Sequence, residues 1–153
     1  MGSTVTRQQL DDLIGRPLGT SEWFLIDQRR VDAFADVTLD HQFVHVDVEK
    51  ARATPFKGTI AHGFLTLSLL VHLCLPFIPE LENRKLLVNY GFDKIRFVSP
   101  VTVGKRIRAT GTLAEVAERK PGNVVLKIEV TVEIEGEDKP ALVAEWLSLH
   151  VVA

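Results

Sequence analysis

The chain has 153 residues, which suits one domain with a hydrophobic core of its own. A hydrophobic content of 46% with 25% charged residues is ordinary for a globular protein. The 18 basic and 20 acidic residues give a formal net charge of −2, and the basic residues are scattered rather than blocked. We therefore expect no nucleic acid as a partner.

The single cysteine, Cys74, lies in an apolar run, which excludes an intramolecular disulfide and a cysteine-based zinc site. We expect a buried, inert thiol, which fits a reducing cytoplasm.

The first six residues contain no apolar signal core. The apolar segment 60–78 is broken by His62, Gly63, His72 and Pro76. We interpret it as a buried core helix, and we expect a cytoplasmic protein without a membrane partner.

Three helices are predicted in the first half of the chain. Asp27 can cap a helix over residues 28–38, and Asp47 can cap a shorter one over residues 48–53. The long apolar helix should run from about residue 62 to residue 77. The inner stripe of the first helix is predicted to hold Val31, Phe34 and Ala35.

The remaining segments favour strands, predicted at residues 21–27, 86–97, 106–113, 124–135 and 143–151. Strict alternation of apolar and polar residues from Val124 to Glu135 indicates a strand with one buried face and one solvent-exposed face. Pro121-Gly122-Asn123 should form a hairpin turn, and Gly91 should bend its strand. The predicted fold class is α+β, with a largely antiparallel sheet of about five strands wrapped around the long helix.

Three residues can carry chemistry: Asp40, His45 and Gly63. A carboxylate and an imidazole can act as an acid/base pair, and the N–H of a glycine at a helix start can polarise a carbonyl. Residues five apart diverge on a regular helix or strand, so Asp40 and His45 converge only if the chain between them is irregular. The alternative is structural: Asp40 caps a turn, His45 is a satisfied half-buried histidine, and Gly63 allows close packing.

Two motifs carry a family resemblance, Asp40-His41-Gln42-Phe43-Val44-His45-Val46-Asp47 and Thr59-Ile60-Ala61-His62-Gly63-Phe64-Leu65-Thr66-Leu67. They resemble the MaoC-like dehydratases, the (R)-specific enoyl-CoA hydratases (hydratase 2) of the hot-dog fold, and are most similar to the nodulation-protein-N-like branch. The resemblance extends from about Gly15 to the C-terminus. The common family motif has Asn-Pro where this chain has Gln42-Phe43, so the proline that would bend the segment is missing.

The resemblance implies a single hot-dog domain over residues 1–153. It implies reversible addition of water to a trans-2-enoyl-CoA, giving an (R)-3-hydroxyacyl-CoA. Asp40 and His45 would be catalytic, and the backbone N–H of Gly63 would bind the thioester oxygen. Gln42, His62 and Asn89 are expected in the substrate pocket. No metal or cofactor is implied, because coenzyme A arrives as part of the acyl-CoA substrate, and the expected assembly is a homodimer.

Other functions remain open from the sequence. A thioesterase of the same fold would cleave the thioester, a non-catalytic protein would only bind acyl-CoA or acyl-carrier thioesters, and a hydratase could use an acyl-carrier-protein thioester. His72 is expected in the core or an interface, and His150 on the strand surface. Candidates for contact with coenzyme A phosphates are Lys57, Arg84, Lys85, Arg96 and Arg106.

Overall fold

The computed structural model describes residues 2–153, so only Met1 of the predicted domain lies outside the described residues. The elements in chain order are β1 (Thr4–Val5), α1 (Arg7–Asp11), β2 (Pro17–Thr20), β3 (Phe24–Leu25), α2 (Gln28–Thr38), α3 (Phe43–Val46), α4 (Val48–Arg52), α5 (Gly63–Ser68), α6 (Leu70–Cys74), β4 (Glu80–Leu81), β5 (Arg84–Phe97), β6 (Arg106–Lys120), β7 (Asn123–Ile134) and β8 (Leu142–Val152).

Two aspartates begin the helices that the sequence predicts. The side chain of Asp27 accepts a hydrogen bond from the N–H of Arg30 at 2.8 Å, and α2 follows it. Asp47 accepts from the N–H of Lys50 at 3.0 Å, and α4 follows. Each bond satisfies an N–H that has no partner inside its helix. The predicted inner stripe of α2 is confirmed, since Val31 and Ala35 are buried and Phe34 packs against the core.

The long apolar helix is shorter than predicted and locally interrupted. It consists of α5 and α6, which are separated only by Leu69. Hydrogen bonds still cross the junction, from Leu69 N–H to the Leu65 carbonyl at 3.1 Å and from Leu73 N–H to the Leu69 carbonyl at 2.9 Å. The helix ends at Cys74 rather than near residue 77, because Pro76 has no N–H with which to extend the helical hydrogen bonds.

The main sheet has the strand order β2-β6-β7-β8-β5, and all its pairings are antiparallel. β3 also pairs with β6, so the sheet has six strands where about five were predicted. The predicted strand 21–27 is reduced to β3, because the Ser21 hydroxyl takes the N–H of Ala109 in place of a backbone carbonyl. The predicted bend at Gly91 is confirmed by a register shift between Asn89 and Gly91.

The core lies between the sheet and the two central helices. Even-numbered residues of β7 and β8 face inward, which follows from the period of two along a strand. The sheet contributes Leu126, Ile128, Val130, Val132, Leu142 and Trp146, and the helices contribute Leu65, Leu70, Leu73 and Cys74. The predicted α+β arrangement, with the sheet wrapped around a central helix, is confirmed. No helix within residues 2–153 is long and apolar enough to cross a membrane.

His150 does not lie where the sequence placed it, and His72 is not in the core of this chain. His150 was expected on the surface, but it is completely buried, because it shares the inward face of β8 with Ser148. The Ser148 hydroxyl lies 3.2 Å from His150 Nε2. His72 was expected in the core or an interface; it is exposed on this chain and packs edge-on against Phe24, with ring centroids 4.8 Å apart. Cys74 is buried and unpaired, as predicted.

Candidate active site

The chain bends sharply between Asp40 and the end of α2. Leu39 caps α2 in the left-handed conformation, with φ of 62°, which is uncommon for a residue other than glycine. Asp40 and His41 then form a short loop before Gln42 caps the four-residue helix α3. The irregular segment that convergence of Asp40 and His45 requires is therefore present: residues 40–42 are not helical, and Gln42 is extended, with ψ of 136°, although no proline stands there.

Three side chains meet at this bend. A carboxylate oxygen of Asp40 and ring nitrogens of His45 and His62 all lie within 4.8 Å of one another. Both histidines are buried, whereas 53% of the Asp40 side chain is exposed. The structure thus brings Asp40 and His45 together and adds His62 to them.

A hydrogen bond determines which nitrogen of His45 is free. Nδ1 lies 2.7 Å from the carbonyl oxygen of Ile60. A carbonyl can only accept, so Nδ1 carries the proton in this bond. In the neutral ring the lone pair then resides on Nε2. His45 is therefore held as a base whose free nitrogen is fixed by the chain 15 residues further on.

His62 stacks on His45 and supports the Asp40 loop. The two rings are 3.8 Å apart between centroids, with 25° between their planes. His62 Nε2 lies 2.9 Å from the backbone carbonyl of Asp40, to which it donates, and Phe34 packs against the ring at 5.0 Å. Among the described residues, Nδ1 of His62 has no hydrogen-bond partner.

The stacking bears on metal binding. A metal ion bound by imidazole lies in the ring plane at about 2.0–2.1 Å from the nitrogen. The planes of two rings stacked 3.8 Å apart at 25° intersect far beyond that distance, so one ion cannot lie along the lone pairs of both His45 and His62. This arrangement is unsuited to a shared metal.

A cavity of about 390 Å³ adjoins the cluster. Of the three clustered side chains, His45 lines it, and Gly63 and Thr66 also contribute. The remaining lining is mostly apolar and consists of Ile60, Ala61, Phe64, Phe97, Val98, Ser99, Pro100, Val101 and Ala141. A mostly apolar cavity with a few polar groups at one place is typical of a small-molecule site.

Gly63 occupies the position that the sequence suggested for it. It is the first residue of α5, where an N–H has no partner inside the helix, and no acceptor for it lies within residues 2–153. A Cβ atom added at Gly63 would lie 3.0 Å from the ring of Phe97. Gly63 therefore allows close packing and at the same time presents an unused N–H.

None of the three expected pocket residues, Gln42, His62 and Asn89, lines the cavity. Gln42 is exposed, and its backbone carbonyl accepts the N–H of His45 at 2.9 Å. Asn89 is exposed on β5. Eight residues separate it from Phe97, which lines the cavity, and eight residues span roughly 25 Å along a strand. His62 lies at the cluster rather than in the cavity wall. The sequence did not indicate which way these side chains point.

Three polar residues at the site were missed. Thr66 lines the cavity, and its position three residues after Gly63, on the same helix face, was the available signal. Gln28 donates to the backbone carbonyl of His45 and accepts from the hydroxyl of Thr59. No local pattern predicts those contacts, because 31 residues separate Gln28 from Thr59.

The basic residues considered for phosphate contact differ in their surroundings. Arg84 pairs with Glu80 at 3.0 Å, and Arg106 forms an ion pair with Glu135. Lys57, Lys85 and Arg96 are exposed. Arg84 and Arg106 thus already have carboxylate partners.

Comparison with known proteins shows the family to which the chain belongs. Residues 9–135 match the family model described as MaoC like domain. The chain is 49% identical over 137 residues to Nodulation protein N of Rhizobium leguminosarum bv. viciae, covering 89% of this chain and 85% of that protein. It is 47% identical over 137 residues to 3-hydroxyacyl-thioester dehydratase Z of Mycobacterium tuberculosis (strain H37Rv), covering 90% of each.

A solved structure shows the same fold. The crystal structure of the MaoC-like dehydratase from Rhodospirillum rubrum superposes with a TM-score of 0.74 at 18% identity, over 94% of this chain and 97% of that one. The fold is thus a hot-dog fold, as predicted. The chain belongs to the MaoC-like domain family, and within it resembles the nodulation-protein-N-like branch. By this membership it is a hydro-lyase of the hydratase/dehydratase type.

Proposed function

We propose that the chain catalyses the reversible addition of water to a trans-2-enoyl-CoA, giving an (R)-3-hydroxyacyl-CoA. The observation that carries this proposal is the approach of Asp40 to His45 beside a mostly apolar cavity that has Gly63 in its wall. An acyl chain suits that cavity. The name of the relative from M. tuberculosis, a 3-hydroxyacyl-thioester dehydratase, supports the same chemistry in reverse.

In this proposal Asp40 and His45 hold one water between them. A water that bridges two groups at normal hydrogen-bond lengths separates them by up to about 5.5 Å, so a 4.8 Å cluster can accommodate it. Nε2 of His45 has the lone pair that can receive a proton, because Nδ1 donates to Ile60. Asp40 orients the water and shares the proton, so the two groups act as a unit.

The N–H of Gly63 would act on the thioester oxygen of the substrate. As the water oxygen bonds to C3 and loses a proton to the pair, the electrons of the C2–C3 double bond move toward the thioester oxygen. A hydrogen bond from Gly63 stabilises that developing negative charge. C2 then takes a proton from the pair on the same face, which completes a syn addition. The proposed chemistry requires no metal and no cofactor.

We also propose that the chain forms a homodimer through β5. This strand ends the sheet order, and its 14 residues leave a long unpaired edge. It exposes Leu86, Val88, Tyr90 and Phe97. The opposite edge is different, because β2 has four residues and begins with Pro17. Long apolar edges are usually covered, and an antiparallel copy would cover this one.

Sedimentation equilibrium tests the dimer. We expect a dimer at micromolar concentration and a shift toward monomer when Tyr90 is replaced by Lys, whereas the same change at the exposed Val37 on α2 should have no effect. A wild-type monomer would contradict the proposal.

A cytoplasmic location stays a prediction from the sequence.

Absorbance at the enoyl thioester band tests the reaction, with crotonyl-CoA and longer enoyl-CoA substrates. Loss of the conjugated band without free thiol, abolished by Asp40→Asn and His45→Ala, would support a hydratase, and chiral analysis of the product should give the (R) form. Free thiol would favour a thioesterase. If neither signal changes at any chain length while acyl-CoA still binds, the protein is a binding protein. Turnover of acyl-carrier-protein thioesters but not of CoA thioesters would favour a hydratase whose substrate is carried by acyl carrier protein.

A further inference from the structure

The side-chain amide of Gln28 connects three separate parts of the chain. Its Nε2 donates to the backbone carbonyl of His45 at 2.7 Å and to Oδ1 of Asp32 at 2.8 Å. Its Oε1 accepts from the hydroxyl of Thr59 at 2.5 Å. Thr59 is buried, with 4% of its surface exposed, so its hydroxyl depends on this partner. Both donors and the acceptor of one amide are used.

These contacts hold the backbone of His45 rather than its ring. The segment with His45 and the segment with Ile60 are already joined, because Ile60 N–H donates to the Val44 carbonyl at 3.0 Å and His45 Nδ1 donates to the Ile60 carbonyl. Gln28 adds a second bridge between the same segments, from the His45 carbonyl to Thr59. The four-residue helix α3 has few bonds of its own, so these bridges determine where His45 sits.

We infer that Gln28 is a positioning residue for the proposed hydration reaction, acting through His45 with Thr59 as its partner. Gln28 does not line the cavity and touches no reacting atom. Other side chains of similar length cannot replace it. Glutamate would place a carboxylate against the His45 carbonyl and Asp32, and methionine has neither donor nor acceptor of comparable strength. The inference rests on the proposed function for its kinetic part.

The kinetic experiment compares Gln28→Met with Gln8→Met. Gln8 faces Asp12 four residues on, as Gln28 faces Asp32, but it lies on α1 away from the site. We expect Gln28→Met to lower kcat ~10–100-fold with KM changed less than about twofold, because a small displacement of a catalytic group lowers the rate more than binding. Gln8→Met should change neither value.

Thr59 supplies a matched pair that does not alter Gln28. Thr59→Ser keeps the hydroxyl and should retain kcat within about twofold, whereas Thr59→Val keeps the shape without it and should approach the loss of Gln28→Met. A role of Thr59 in filling space alone would show the opposite order, since valine fills the buried site better than serine. Should Gln28→Met fail to fold, this pair decides the question.

Two further readouts separate positioning from general damage. In a His45→Ala background the effect of Gln28→Met on kcat should fall below about twofold, since residues acting as one unit are not additive. Long-range ¹H–¹⁵N spectra should show His45 as the Nδ1–H form in the wild type and a mixture of tautomers in Gln28→Met. The spectra require no turnover, so they remain decisive if the hydratase proposal fails. Unchanged spectra and unchanged kcat in Gln28→Met would overturn the inference.

Discussion

His45 and His62 stack face to face, with ring centroids 3.8 Å apart and 25° between their planes. Each ring donates to a backbone carbonyl, His45 to Ile60 and His62 to Asp40. The stack therefore joins the loop that carries Asp40 to the short helix that carries His45. Through it, one buried pair of rings determines the separation between the carboxylate and the base.

The first prediction concerns Asp40. Asp40→Asn keeps the shape of the side chain and removes its charge, so we expect turnover of the enoyl-CoA to fall ~10²–10⁴-fold. Because 53% of the Asp40 side chain is exposed, the free energy of unfolding should change by less than about 0.5 kcal/mol. Steady-state kinetics and urea unfolding measure the two effects.

A neighbouring pair provides the control for this prediction. Asp36 lies 2.8 Å from His41 Nε2, and both side chains are exposed. Asp36→Asn removes a carboxylate next to a histidine only four residues from Asp40, but away from the cavity. Turnover should be unaffected. Equal losses in Asp36→Asn and Asp40→Asn would contradict a specific role of Asp40.

The second prediction concerns Gly63. Gly63→Ala retains the N–H but places a Cβ 3.0 Å from the ring of Phe97, which must move. Since Phe97 is 48% exposed, the protein should stay folded while kcat/KM falls ~10-fold through the altered cavity wall. Adding Phe97→Leu should restore part of the loss. A double variant no better than Gly63→Ala would show that the ring is not the cause.

The third prediction concerns stability in acid. Burial, with a smaller contribution from the charge of Arg84, lowers the pKa of His150 from 6.5 to about 4. As the pH falls below 6.5, the unfolded chain takes up a proton that the folded chain refuses until about pH 4. The free energy of unfolding should therefore fall by about 1.4 kcal/mol per pH unit across that range, about 3 kcal/mol in all.

Urea unfolding between neutral pH and about pH 4 checks this prediction. The matched variant His150→Leu lacks the titrating group, so the difference between wild type and variant isolates the effect. The free energy of unfolding of the wild type minus that of His150→Leu should fall steadily as the pH drops from 6.5 to 4. A difference independent of pH would show that His150 is not the group responsible.

The fourth prediction concerns Cys74. Burial raises the pKa of its thiol to about 12, so almost no thiolate exists near neutral pH, and the side chain is inaccessible. A thiol reagent should label the unfolded chain rapidly and the native protein only at the rate of unfolding. Fast labelling of the native protein, at a rate that denaturant does not increase, would contradict this burial.

Much of the fold follows from local patterns. Asp27 and Asp47 begin α2 and α4, because a carboxylate before a helical segment satisfies a free N–H wherever it occurs. The alternation in β7 identified its buried face, because that pattern depends only on strand geometry. The same logic, applied fully to β8, would have placed His150 inside with Ser148 and Trp146.

For the candidate site, the sequence by itself determined which groups are available: Asp40, His45 and the glycine that begins α5. Only the tertiary structure decided how they meet. The hydrogen bond from His45 to Ile60, the stack of His45 on His62 and the bridge from Gln28 to Thr59 join residues that are 15 to 31 positions apart. Contacts over such distances are set by how the sheet closes around the helix, and no local pattern of residues encodes them.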